Sequence, residues 1–118
     1  MRVIKKGEKK NVKGFLFPEF DQKKRRSFIT TKFQEGDKLI FEFKETASRE
    51  VILIFSAVRK AERVEFDGDD KIFLGVFPDN FSAILMAYRI SLFLEKVFEK
   101  EIKEKVFLRE KRKFILVL

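Results

Sequence analysis

The spacing of apolar residues changes at residues 78–80, and this change constrains the fold more than any other feature of the sequence. Upstream, residues 38–46 alternate apolar and polar side chains with the period of two that is typical of a β-strand. Downstream, apolar residues recur at helical spacing to about Lys105, and Asp79 or Asn80 stands where a helix needs a side-chain cap. Strands followed by a helix predict an α+β fold, with an antiparallel sheet of about five strands and one long amphipathic helix after it.

The chain has 118 residues, which suits one core, so we predict a single domain over 1–118. We assign residues 1–11 to a basic arm, 12–77 mainly to strands, 79–105 to the long helix, and 106–118 to a last strand or a segment that docks on another subunit. Within the second region, strands are expected at 13–20, 27–34, 38–46, 50–58 and 71–77. The segment 59–66 fits either a strand or a short helix, and Asp-Gly chemistry makes 67–70 a hairpin turn.

Cysteine and histidine are missing from the chain, and their absence excludes whole classes of site. The chain has no cysteine and no histidine, which rules out disulfides, thiolate metal sites, a cysteine nucleophile and the commonest general base. Asp67, Asp69 and Asp70 have a spacing that would suit Mg²⁺, but a charged Asp-Gly turn explains them better. We therefore expect a non-enzymatic protein with no metal, no cofactor and no small-molecule substrate.

Hydropathy and composition indicate a cytoplasmic protein without a membrane partner. No apolar run approaches the ~18 residues of a membrane span. Residues 1–10 are rich in charge and lack the apolar core of a signal peptide. Charged residues make up 39% of the chain while Asn and Gln are scarce, a composition typical of proteins from thermophiles.

The positive charge is concentrated at one end of the chain. Residues 1–36 hold eleven of the 27 Lys and Arg but only four of the 19 Asp and Glu, so nearly all of the net charge of +8 lies in the first third. A field of one sign on one segment is the footprint of a polyanion-binding protein. A solvated arm that only keeps the protein soluble is the alternative.

Phenylalanine alternates with these cations, and single-stranded nucleic acid needs both groups. Lysine and arginine neutralise phosphates, and flat apolar rings stack on unpaired bases. The candidate nucleic-acid-binding residues are Lys9, Lys10, Lys13, Phe15, Phe17, Lys23, Lys24, Arg25, Arg26, Phe28 and Lys32. The alternative is that these rings belong to a core or a subunit interface, which would make the protein an interaction or assembly module.

Part of this region resembles a known RNA-binding signature, K/R-G-F/Y-G/A-F-V-x-F/Y. Lys13, Gly14, Phe15, Phe17 and Phe20 match the pattern, while Leu16 and Pro18 depart from it. Together with 27–29 and 35–39, the segment looks like a cold-shock domain of the OB class, and this resemblance implies binding of single-stranded nucleic acid.

A second resemblance covers more of the chain. The aromatic strand Ile72-Phe73-Leu74 leads through 77–81 (Phe-Pro-Asp-Asn-Phe) into the helix, after several antiparallel strands. This order is similar to that of the Pur-alpha, whirly and transcriptional-coactivator single-strand binders and of the ThermoDBP-related proteins. The resemblance implies dimers formed through helix and sheet, with single-stranded DNA or RNA on the sheet surface.

The predicted helix has two apolar stripes, which indicates a homodimer or higher homo-oligomer. The first stripe contains Phe81, Ile84, Leu85, Tyr88 and Leu92. The second contains Met86, Ile90, Phe93, Leu94 and Val97. One stripe covers the sheet, and we expect the second to be buried against another subunit.

Overall fold

Six strands and one long helix form the part of the chain that the computed structural model describes, namely Ser27, residues 30–99 and residues 101–118. The elements in chain order are β1 (Lys38–Glu45), β2 (Val51–Arg59), β3 (Glu62–Arg63), β4 (Ile72–Phe77), α1 (Asn80–Phe98), β5 (Glu104–Leu108) and β6 (Lys113–Val117). All strand pairings are antiparallel. The prediction of an α+β fold with an antiparallel sheet is therefore confirmed.

The strand order places the end of the chain inside the sheet. It runs β3-β2-β1-β6-β5, and β4 also pairs with β2. β6 lies between β1 and β5, where Phe114 faces Phe41 across the pair and Leu116 faces Leu39. Two backbone hydrogen bonds extend the pairing of β1 and β6 beyond the strand ends: the Gly36 N–H donates to the Leu118 carbonyl, and the Leu118 N–H donates to the Asp37 carbonyl.

One face of the sheet carries the core, as the alternation in 38–46 predicts. Leu39, Phe41 and Phe43 of β1 are buried, and so are the odd-numbered residues Val51, Leu53, Phe55 and Ala57 of β2. The rings of Phe41 and Phe55 meet edge to face with 5.2 Å between centroids. Aromatic contacts of this kind add roughly 0.5–1.5 kcal/mol to the stability gained from burial.

The helix begins where predicted but ends earlier. The Asp79 carboxylate accepts a hydrogen bond of 2.7 Å from the Ser82 N–H, and this bond lowers the pKa of Asp79. Glu99 takes a left-handed conformation with φ of 52° and ends the helix after Phe98. The predicted helix over 79–105 is therefore wrong beyond residue 98, because residues 104–108 pair with β6 as an edge strand. The segment 106–118 holds the end of β5 and all of β6.

The assignment of the two helical stripes is also wrong. Ile90 and Leu94, which belong to the stripe expected to meet another subunit, are fully buried within the chain, and Met86 and Phe93 pack on the core. The residues that line the sheet-facing side include small ones that allow close approach: Ala83, Ala87 and Ser91. The exposed stripe is the other one, with Phe81 at 74% and Tyr88 at 47% exposure.

The described residues before β1, namely Ser27 and 30–37, do not form the strand predicted at 27–34. Thr31 donates from its N–H at 2.9 Å and from its hydroxyl at 2.6 Å to the Ser27 carbonyl, which makes a helical turn. Ser and Thr hydroxyls that hydrogen-bond to nearby backbone carbonyls compete with strand pairing in this way. The strand predicted at 13–20 lies outside the described residues.

A buried carboxylate holds the next segment against the end of β2. Asp37 is 3% exposed, and its Oδ2 accepts hydrogen bonds from the Gln34 N–H at 2.8 Å and from Arg59 Nε at 3.1 Å. Arg59 also donates from Nη2 to the Lys32 carbonyl. After Arg59, Lys60 and Ala61 adopt positive φ and make a tight turn into β3, so the strand alternative for 59–66 holds at Glu62–Arg63.

We expect the two buried polar side chains of this region to respond oppositely to alanine. The Ser56 hydroxyl is buried without a partner among the described residues, so Ser56→Ala should leave stability unchanged or raise it by up to about 1 kcal/mol. Asp37→Ala removes the acceptor of two bonds and should lower stability by about 2–3 kcal/mol. Urea unfolding measures both, and a large loss of stability in Ser56→Ala would show that its hydroxyl is bonded.

We expect Glu95 to make stability depend on pH. The Ile102 N–H, bonded to Glu95 Oε2 at 3.0 Å, lowers the pKa of this carboxyl below its ordinary value of 4.5; partial burial opposes this shift and Lys105 supports it. Because the folded-state pKa is the lower one, the stabilisation is present above about pH 4.5 and is lost as the pH falls through the folded-state value. The difference in melting temperature between wild type and Glu95→Gln should therefore be largest at neutral pH and shrink on acidification.

The matched control is Glu65→Gln, which changes an exposed carboxylate with no bond to the described residues. Its melting difference from wild type should be small at every pH. A difference in melting temperature between wild type and Glu95→Gln that stays constant from neutral to acid pH would contradict the predicted pH dependence.

Candidate functional site

The described body is electrically neutral, so the net charge lies elsewhere in the chain. Ser27, residues 30–99 and residues 101–118 contain sixteen Lys and Arg and sixteen Asp and Glu. The formal charge of +8 therefore belongs to residues 1–26, 28, 29 and 100. The neutral set of described residues and the charge that would attract a polyanion therefore occupy different parts of the sequence.

Ten of the eleven predicted site residues lie outside the described residues: Lys9, Lys10, Lys13, Phe15, Phe17, Lys23, Lys24, Arg25, Arg26 and Phe28. The eleventh, Lys32, is exposed, and its backbone carbonyl accepts from Arg59 as described above. This bond and the Asp37 contacts hold the backbone at the junction between the basic first third and the body.

Most of the phenylalanines among the described residues outside α1 belong to the core. Phe33, Phe41, Phe43, Phe55, Phe66 and Phe114 are all buried. The sheet face away from α1 is instead mainly aliphatic: Ile40 lies opposite Ile115, and Ile54 lies opposite the ring of Phe73. Among the described residues of that face, Phe73 supplies an exposed ring. The six strands of the body therefore do not form the ring-covered sheet face expected for stacking.

A basic surface that sequence reasoning missed surrounds the turn between β5 and β6. We call it the hairpin surface and define it by the cations Lys44, Lys71, Arg109, Lys111 and Arg112 with the rings of Phe43 and Phe107. The acidic side chains that line its clefts are Glu42 and Glu45, so cations outnumber acids there. The only signal for it in the sequence was the run Arg-Glu-Lys-Arg-Lys at 109–113, which was hidden within a nearly neutral stretch.

Two adjoining clefts make up the hairpin surface, and Phe43 and Arg112 line both. The first cleft, of about 380 Å³, is lined by Phe43, Asn80, Ile84, Phe107, Arg109 and Arg112. The second, of about 540 Å³, is lined by Glu42, Phe43, Lys44, Glu45, Ile54, Lys71, Lys111 and Arg112. The first is mostly aromatic and cationic, whereas the second mixes both signs of charge.

Arg112 links the hairpin to β1 and to the start of α1. Its Nε donates to the Phe43 carbonyl at 2.9 Å, and its Nη2 donates to Asn80 Oδ1 at 2.5 Å. Glu45 Oε2 lies 4.0 Å from the same Nη2. These contacts hold the guanidinium in place, so a ligand would not have to order it.

Phe107 is the exposed ring beside this guanidinium. It stacks on Phe43 with 6.0 Å between centroids and 15° between planes. Phe43 is 4% exposed and Phe107 is 40% exposed. A ring supported by a buried neighbour offers a flat apolar surface that is already fixed in direction.

The acidic segment 67–70 forms the turn that its sequence predicts. Asp67 and Gly68 have positive φ, and Phe66 and Asp69 exchange backbone hydrogen bonds. The Oδ2 atom of Asp70 lies 3.8 Å from Nε of Arg63. Over the described ranges, no group of three or more acidic side chains is placed to hold a metal ion. Nor does any helix there have the length and apolar content needed to cross a membrane.

Comparisons with known proteins found no match. No family model, curated protein or solved structure matches the chain. Function must be inferred from the charge distribution and the surfaces described above.

Proposed function

We propose that this protein binds single-stranded DNA or RNA without catalysis and with little sequence preference. The observation that carries the proposal is the uneven distribution of charge: the described residues are neutral overall, whereas the first third holds nearly all of the net positive charge. A segment that served only solubility would not need cations interleaved with Phe15, Phe17 and Phe28. The hairpin surface adds a second set of cations beside an exposed ring.

The physical basis of such binding is the release of counterions from the nucleic acid. Each phosphate neutralised by Lys or Arg on a single strand contributes about 0.7 to the slope of log affinity against log salt. Stacking of a base on an aromatic ring contributes about 1–3 kcal/mol and depends little on salt. Cations and rings can therefore be assigned their roles by separate measurements.

The cations are tested by changing Lys23, Lys24, Arg25 and Arg26 together to Ala. Binding of a labelled single-stranded oligonucleotide, measured by fluorescence anisotropy at several salt concentrations, should weaken for all sequences alike. The salt slope should flatten by at most about 0.7 for each phosphate that the variant no longer neutralises. The matched control removes the same charge from exposed positions of the body: Lys38, Lys60, Arg89 and Lys96.

The control variant should keep most of the wild-type affinity and slope. Phe15→Ala and Phe17→Ala should lower affinity with the slope nearly unchanged, provided that their melting temperatures stay at the wild-type value. Equal binding by the basic-segment variant and wild type would overturn the proposal.

A second candidate function is self-assembly, and the exposed stripe of α1 favours it. Phe81, Leu85, Tyr88 and Leu92 follow one another at intervals of four, three and four residues, the spacing of a helix–helix seam. Their exposed fractions run from 39% to 74%. Contiguous apolar side chains on a surface helix indicate a contact with another protein.

The occupant that fits this stripe is a second copy of the chain with its helix antiparallel. In that arrangement Phe81 lies opposite Leu92 of the second copy and Leu85 opposite Tyr88, so that each layer pairs one aromatic ring with one leucine. Lys96 of one copy then lies beside the start of the other copy's helix, where Asp79 is the N-cap residue. A parallel pair would instead place Lys96 beside its own copy.

The exposed area of the stripe sets the expected strength of the dimer. Its four side chains expose on the order of 400 Å² per protomer, taking about 200 Å² for a whole large side chain. Stable interfaces bury about 800 Å² per partner. We therefore expect a weak dimer that dissociates on dilution.

Sedimentation velocity from micromolar to millimolar concentration should detect this dimer, and Leu85→Glu should abolish it. Phe73→Glu, which places the same charge on the opposite face of the sheet, is the control and should leave association unchanged. A wild-type protein that stays monomeric at millimolar concentration would exclude the helix seam. Dimerisation without any nucleic-acid binding would make assembly the primary function.

A further inference from the structure

We infer that the first cleft of the hairpin surface takes one nucleotide of the bound strand, with the base on Phe107 and the phosphate between Arg109 and Arg112. This inference rests on the proposed function and adds a site, within the described body, that holds a single nucleotide unit. It differs from the basic first third, which supplies charge along the strand.

The ring supplies the stacking surface. Phe107 is 40% exposed, lines the cleft, and is supported from behind by the buried Phe43. A base that stacks here replaces water on an apolar ring whose orientation is already set, so the entropic cost of ordering the side chain is small. Every base has a flat face, so this contact is independent of sequence.

The two arginines supply the phosphate contacts. A guanidinium has five N–H donors; Arg112 uses Nε and Nη2 for the bonds described above, and its Nη1 makes no hydrogen bond within the described ranges. Arg109 is exposed, and its side chain makes no hydrogen bond or ion pair to the described residues. Guanidinium groups bind phosphate through paired N–H donors, which lysine does not provide.

Asn80 adds a contact to the edge of the base. Its Oδ1 accepts from Arg112, so its amide nitrogen is left as a donor toward the cleft or solvent. The cleft volume of about 380 Å³ lies within the range of sites for small ligands. Glu45, whose Oε2 lies 4.0 Å from Arg112 Nη2, lines the second cleft together with Glu42 but does not line the first, so the second cleft is the poorer phosphate site.

The test uses adenosine monophosphate, adenosine and inorganic phosphate as three separate probes, titrated into the full chain and followed by backbone amide NMR shifts. Adenosine monophosphate should shift the amides around Phe107, Arg109 and Asn80. Phe107→Ala should weaken adenosine monophosphate and adenosine by at least about fivefold and leave phosphate unchanged. Arg109→Ala should weaken adenosine monophosphate and phosphate but not adenosine.

Arg109 is exposed, so Arg109→Ala should melt close to wild type, whereas Phe107→Ala removes a ring stacked on Phe43 and should lower the melting temperature while the chain stays folded. Unchanged phosphate binding by Phe107→Ala shows that the cleft is intact in that variant. Arg89→Ala, which removes an exposed arginine of α1 outside the hairpin surface, is the matched control. Shifts that map elsewhere, or wild-type affinity in both cleft variants, would overturn the inference. Oligonucleotide binding by the wild type is measured separately. If the oligonucleotide binds equally well to wild type and to both cleft variants, the inference fails and the proposed function stands. If adenosine monophosphate binds in the cleft but no oligonucleotide binds, the site stands and the proposed function fails.

Discussion

The pairing of β6 with β1 is the contact on which the rest of the structure depends. It places Phe114 against Phe41 in the core and ties Leu118 to the backbone of Gly36 and Asp37. Because β6 must return to the middle of the sheet, α1 has to end at Phe98 and the chain has to turn back through β5. The same return brings the β5–β6 turn beside the first residue of α1, and both clefts arise there.

The sequence was sufficient for the elements whose pattern is local. The alternation in β1, the buried run of β2 and the Asp79 cap before α1 could each be predicted from residue type and spacing. The end of α1 could not, because Glu99 is not a residue that favours the left-handed conformation, and Ile102 and Val106 fit helical spacing as well as strand spacing. What decides their structure is β6, a partner that a local pattern does not contain.

The stripe of α1 that faces the sheet and the hairpin surface could not be predicted, for a related reason. The stripe that contains Ile90 and Leu94 packs on the sheet because small residues of α1, two alanines and a serine, allow close approach. These residues contribute little to a hydrophobicity pattern, so the pattern alone does not show which stripe faces the sheet. The cations at 109–113 gain significance only when folding places them next to Phe43 and Asn80. The charge asymmetry, in contrast, is a property of the sequence itself, and the neutral balance of the described body agrees with it.

The position of β6 also bears on how the protein is made. Lys38 pairs with Val58 on one side and with Val117 on the other, so one edge of β1 has no partner until nearly the whole of this sequence has left the ribosome. Until then the β1 edge, with the apolar side chains Leu39, Phe41 and Phe43, is open to pairing with other chains. Contacts so distant in sequence slow the search for the native pairing. Rapid synthesis of this protein at high concentration should thus favour aggregation, and slower synthesis should raise the folded yield.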